Sequence, residues 1–146
     1  MVVEDGHGEQ TRKILERLKA EANMPNPVDA LVKALECLIQ GIESDREVFV
    51  FVYTEAKVMP PDLRKTFLET EGTIVDAFGE ILSKGQKAGV FCINSIPLTA
   101  HYIVSLAEMW GVKWWYLRDC CTSIEYRDSL ADFMLKSICS KPAIYG

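Results

Sequence analysis

Ser44 to Phe91, SDREVFVFVYTEAKVMPPDLRKTFLETEGTIVDAFGEILSKGQKAGVF, is the stretch on which the fold turns. It opens on an unbroken apolar run, Val48-Phe49-Val50-Phe51-Val52-Tyr53, which by itself suits a buried strand as well as a buried helix. The flanks favour the helix. Ser44-Asp45-Arg46-Glu47 fits a capping box, with Ser44 accepting from the Glu47 amide and Glu47 reaching back to the Ser44 amide. Thr54-Glu55-Ala56-Lys57 carries helix-compatible residues on towards Pro60-Pro61, and no other stretch supplies a partner strand. The run therefore reads as a short helix, apolar on nearly every side and enclosed by other helices.

Beyond the prolines, Pro61 to Ala88 reads as one amphipathic helix with Leu63, Phe67, Ile74, Val75, Phe78, Ile81 and Leu82 on one side. At 1.5 Å per residue it is about 40 Å long, enough to cross a domain. Gly72 and Gly79 inside it suggest close approach of another backbone or a local bend. Lys84 and Lys87 suit its negative end and Gly89 a left-handed stop.

Working outward, Pro27 to Glu43 has apolar residues at spacings of three and four, with Asn26 as cap and Pro27 at the first helical position. Glu9 to Ala22 is a helix with a thin apolar stripe, preceded by residues 1–8, a disordered tail or cloning remnant. On the C-terminal side, Asn94 or Ser95 caps a fifth helix running to Tyr116 or Leu117. Thr122-Ser123-Ile124-Glu125 is a second capping box, opening a sixth helix that ends near Cys139, before Pro142. The pattern is six helices and no sheet.

With 146 residues, 49% apolar and 25% charged, the chain suits one soluble domain with a sizeable core. A net charge of −5 without a basic stripe disfavours a phosphate-gripping domain. No apolar stretch reaches the roughly 20 residues of a membrane span, and no signal peptide is evident, so a cytoplasmic location is expected. The five cysteines, Cys37, Cys92, Cys120, Cys121 and Cys139, have no paired spacing, which speaks against zinc or disulfide frameworks. No metal, cofactor or catalytic motif is found, and the chain reads as a non-enzyme.

The residues Arg46-Glu47-Val48-Phe49, Tyr53 to Lys57 with Pro60-Pro61, Ile74 to Phe78 through Gly85, and Ala88 to Phe91 carry a family resemblance. So do Ala100 to Val104, Met109-Trp110, and Trp114 through Thr122 to Tyr126. Over Glu9 to Ile138 the chain resembles the C-terminal effector-binding and dimerisation domain of TetR/AcrR-type transcriptional regulators. The resemblance implies an all-α, six-helix bundle whose last two helices form a four-helix dimer interface. It makes residues 9–22 a connecting helix and 23–141 the effector-binding and dimerisation domain. The residues before Glu9 are too few for the family's helix-turn-helix DNA reader, so this is either part of a longer regulator or a free-standing sensor. DNA contact is then expected only through a domain missing from this chain.

The resemblance also implies a small apolar or amphipathic effector, held by Phe49, Tyr53, Glu55, Phe78, Met109 and Trp110. It implies a homodimer contact through Leu98, Tyr102, Trp114, Ile124, Leu130 and Met134. Each of these has a plainer reading: the aromatics as packing core, Glu55 as a solvated acid or one paired with Lys57 or Arg64. His101 reads as a proton switch or an interface histidine. Cys120-Cys121 reads as a thiol sensor activated by Arg118, or as a chance pair. The competing function is a dimeric helical protein–protein interaction module with no ligand.

Overall fold

A computed structural model describes residues 2–139, with side chains described from Arg12 onward. It contains seven α-helices: α1 (Val2–Ala22), α2 (Pro27–Ser44), α3 (Arg46–Glu55), α4 (Pro61–Lys87), α5 (Ile96–Val112), α6 (Trp114–Leu117) and α7 (Ser123–Ile138). A short 3-10 turn, Ala56–Val58, links α3 to Pro60-Pro61. Among the described residues the sole β pairing is an isolated bridge between Phe91 and Cys139. Pro142 lies outside the described residues. The helix begins at Val2 rather than Glu9, because extending a helix one residue at a time costs little once a turn exists.

The centre of the fold is α2. Its spacing of apolar residues buries Ala30, Leu31, Ala34, Leu35, Leu38, Ile39 and Ile42, and α1, α4, α5 and α7 pack around it. Asn26 caps its start, accepting from the Val28 and Asp29 amides at 2.9 and 3.2 Å, with Pro27 at the first position. The second capping box also forms: Thr122 Oγ1 accepts from the Glu125 amide at 3.1 Å, and the Thr122 amide donates to Glu125 at 3.0 Å. Ser95, rather than Asn94, caps α5.

Three expectations are corrected. The capping box at Ser44 does not form. Helix α2 runs through Ser44, whose hydroxyl donates back to the Gly41 carbonyl at 3.0 Å, and Asp45 (φ −143°, ψ 52°) is the single hinge residue between α2 and α3. Nor is α3 enclosed: none of its residues is buried and Phe51 is 57% exposed, because it packs mainly on α5 and α2 rather than among all the helices. The fifth helix is broken at Lys113, and the break turns Trp114 beneath the Arg46 guanidinium, 3.6 Å from the ring centroid.

The glycines also behave otherwise than expected. A side chain at Gly72 or Gly79 would meet nothing within 4 Å, so neither marks a close approach. The close approaches are elsewhere. A Cβ at Gly85 would lie 2.1 Å from the buried Phe91 ring, and one at Gly41 would lie 2.3 Å from Ile14 Cδ1. Gly89, at φ 76°, makes the expected left-handed stop after α4. Across the bundle, Lys84 Nζ donates to the Ala22 carbonyl at 2.8 Å, tying α4 to the last turn of α1. The Trp110 indole donates to the Glu43 carboxylate, and the Tyr126 hydroxyl donates to the Leu106 carbonyl at 2.5 Å.

These placements separate two kinds of glycine. Gly72→Ala is expected to raise stability in urea denaturation by up to about 1 kcal/mol, through helix propensity alone. Gly85→Ala is expected to lower it by about 1–3 kcal/mol, because the Phe91 ring cannot withdraw without disturbing the core.

Candidate functional site

The turn at Asp45 sends α3 away from the axis of α2 and leaves a space beneath it. This space is a cavity of about 320 Å³, at the small end of the range for ligand pockets. Its walls come from consecutive elements: Ile14 and Leu15 of α1, Leu38, Gly41 and Ile42 of α2, and Phe49 and Val52 of α3. Met59, with Leu63, Phe67 and Ile74 of α4, completes the apolar lining. The small side at Gly41 leaves room for Ile14 to lie against the α2 backbone, so α1 is a structural wall of the cavity.

Polar groups enter this apolar space at few points. Arg12 and Asp45 lie on its lining, with Arg12 held by Glu16 at 3.2 Å. Thr66 and Thr70 face it from α4. The decisive pair is Glu71 of α4 and Glu108 of α5. Glu108 is 4% exposed, the one buried charged-type residue among those described. Burial disfavours its ionised form, a side-chain hydrogen bond to Glu71 holds the neutral form, and the Glu71 charge adds to both. Together these push its pKa from 4.5 up to about 9. At neutral pH Glu108 is therefore a carboxylic acid whose O–H donates to the Glu71 carboxylate. Burial also raises the Tyr53 hydroxyl, with Glu108 and then Glu71 as further causes, which sets this phenol near the pair.

The residues named from the resemblance scatter. Phe49 lines the cavity, and Tyr53 packs against it with ring centroids 5.7 Å apart. Phe78 lies one turn beyond the cavity-lining Ile74, wholly buried in the core. Trp110 is buried against Tyr126, centroids 5.4 Å apart, and Met109 is half-buried outside the lining. Glu55 is exposed at the end of α3. Of the dimer residues, Leu98, Tyr102 and Ile124 are more than half exposed, Trp114 is half-buried, and Leu130 and Met134 are buried in the chain's own core.

His101 is exposed. Burial, with Glu125 and Cys120, raises the Cys121 thiol, and Arg118 is occupied by the faces of Trp114 and Trp115, so the thiolate gains no help there. No group of three or more metal-ligating side chains occurs among the described residues. No helix among them is long and apolar enough to cross a membrane.

Glu71 and Glu108 escaped the sequence reading for different reasons. Glu108 carried a signal, being the single acid in Ile96–Val112, a helix apolar over most of its surface. Such an acid has no polar face to share. Glu71 carried none, being one of many charged residues along α4.

Comparison with known proteins places the architecture. The family model of the tetracyclin repressor-like C-terminal domain matches residues 24–138. The fold is similar to a bacterial regulatory protein in the tetR family from Rhodococcus RHA1, at a TM-score of 0.80 and 17% identity, over 96% of this chain and 74% of that one. It is also similar to the TetR family transcriptional regulator PfmR from Thermus thermophilus, at a TM-score of 0.74 and 20% identity, over 88% of this chain and 72% of that one. At these identities the likeness is one of fold. No curated protein matches the chain in sequence.

The carboxyl pair has a thermodynamic consequence. The folded state keeps a proton on Glu108 that the unfolded chain releases above its ordinary value of 4.5. Where the folded state binds more protons, stability falls as pH rises, here from about 4.5 to about 9. One proton gives a slope of at most about 1.4 kcal/mol per pH unit. Glu108→Gln keeps the shape and donor without the titration. Urea denaturation across this window is expected to show the variant gaining on the parent as pH rises; parallel profiles would place an ionised carboxylate at this position.

Proposed function

The chain belongs to the tetracyclin repressor-like C-terminal domain family, and from that premise we propose that it is the ligand-sensing and dimerisation half of a transcriptional repressor. The observation that carries the reading is the cavity itself: apolar, built from five helices, and including α1 in its wall. In this reading α1 is the connecting helix to a DNA reader. An occupant pressing on Ile14 and Leu15 moves α1 against α2 where Ile14 lies on Gly41. The ligand then shifts the population towards the state that binds it better, and DNA affinity follows.

The polar lining supports a small amphipathic molecule, with an apolar body against Phe49, Val52, Leu63 and Phe67 and a polar group towards Glu71 and Glu108. DNA reading is assigned to a separate helix-turn-helix domain of such a regulator, because a net charge of −5 does not suit phosphate binding. The dimer is assigned to α5 and α7. Leu98, Tyr102 and Phe133 stand exposed along a groove between them, with Ile124 exposed nearby on α7, and an apolar surface of this kind suits an isologous two-fold contact. Leu130 and Met134 support that contact from beneath, as core of the same chain.

Two measurements test this reading. A saturating amphiphile at a hundred times its Kd is expected to stabilise the protein by about 2.7 kcal/mol in thermal unfolding. Val52→Trp, which fills the cavity from its half-buried wall, is expected to cancel that gain. Sedimentation at micromolar concentration is expected to show a dimer, and the double variant Tyr102→Asp, Phe133→Asp a folded monomer. A dimer that no amphiphile stabilises would favour an interaction module without a ligand.

A further inference from the structure

The charged groups on the cavity lining are three acids, Asp45, Glu71 and Glu108, and one base, Arg12. The titratable groups around Glu71 and Glu108 are Arg12 from α1 and Asp45 from the hinge, on the same lining, and Tyr53 from α3, whose phenol both acids perturb. Arg12 is engaged by Glu16, and its side chain is 60% exposed, so it stands at the mouth rather than on the pair. Among the described residues no lysine, arginine or histidine forms an ion pair with Glu71 or Glu108. Glu108 is more than nine-tenths buried on the cavity wall, and its partner there is another acid. Two acids in a mainly apolar space, with no ion-pair partner of their own, keep a proton between them.

We propose that the ligand of this cavity is a cationic amphiphile, an apolar chain or ring bearing an ammonium group, which seats between Glu71 and Glu108 and takes the place of their shared proton. This rests on reading the cavity as a ligand site and adds the ligand's charge. The ammonium supplies the counter-charge for the ionised pair, and the aromatic residues Phe49 and Phe67 lie on the same lining. A carboxylate-bearing ligand would set a third acid against the pair and is disfavoured. The exchange balances: one cation enters, one proton leaves the Glu108 oxygen for solvent, and the net charge of the site is unchanged.

That balance makes binding of a permanent cation dependent on pH. Because Glu108 holds its proton up to about 9, affinity rises with pH below that value, by at most about tenfold per unit for one proton released. The groups that could offset this are those named above. Arg12 keeps its charge throughout, and the Tyr53 phenol is raised above its ordinary value, so Glu108 governs the window.

The test uses three probes with the same alkyl chain: decyltrimethylammonium, decanol and decanoate, each below its micelle concentration. Isothermal titration calorimetry in buffers of different ionisation enthalpy is expected to show decyltrimethylammonium binding at least about tenfold more tightly than decanol. It is also expected to show release of close to one proton per cation bound, and no binding of decanoate. Glu108→Gln is expected to lose the cation preference and the proton release, and Glu71→Gln to reduce the preference. Equal binding of cation and alcohol, or preference for decanoate, would overturn the cationic assignment and leave the cavity a ligand site. Failure of every probe, with Val52→Trp indistinguishable from the parent, would overturn the ligand-site reading itself.

Discussion

The apolar face of one helix has to be kept dry, and the rest of the fold is arranged to do it. The inward face of α2, from Ala30 to Ile42, leaves no apolar position for water, and α1, α4, α5 and α7 each bury part of it. Burial of a Leu or Ile side chain contributes roughly 1.5–3 kcal/mol, so this face outweighs any single polar contact in the structure. The caps at Asn26 and Thr122, the Lys84 bond to the Ala22 carbonyl and the Trp110 bond to Glu43 fix where the surrounding helices begin and how they lie on it. They set register. The burial sets stability.

The cavity follows from the single place where that enclosure stops. At Asp45 the chain leaves α2 and re-enters a helix in a new direction, so α3 covers the end of the core without filling it. An apolar void is unfavourable, because its lining atoms lack partners on one side. Placing Glu108 in the wall of that void is a second cost, lowered by protonation and by its bond to Glu71. Both costs fall in the same place. A protein folded for stability alone would close the gap with a larger side chain at Val52 and put glutamine or leucine at Glu108; a binding site is where such costs are retained.

How much of this the sequence disclosed depends on whether the governing interaction is local. Asn26-Pro27, Pro60-Pro61, Gly89 and the Thr122 capping box are decided within a turn of the chain, and each appears where its residues indicate. The six-residue apolar run was read correctly as helix and wrongly as enclosed, because its surroundings depend on the direction taken at Asp45. Ser44 to Glu47 has the composition of a capping box, but continuing α2 by one residue competes with it locally and prevails, the Ser44 hydroxyl bonding back to the Gly41 carbonyl. The site was less legible than the fold. The resemblance implies Phe78 and Trp110 as walls, yet both are buried in the packed core, and the aromatics on the cavity lining are Phe49 and Phe67.

The central claim is that Glu108 stands as a neutral acid beside Glu71 in an apolar cavity. Its most direct test is a carboxyl-carbon NMR titration of the protein labelled at its glutamate side chains, with Glu108 assigned by its absence in Glu108→Gln. The account predicts that this resonance keeps the shift of a protonated acid through neutral pH and moves with a midpoint near 9. A midpoint in the ordinary glutamate range, about 4.3, would mean that Glu108 is ionised in the folded protein, and the carboxyl pair would not exist.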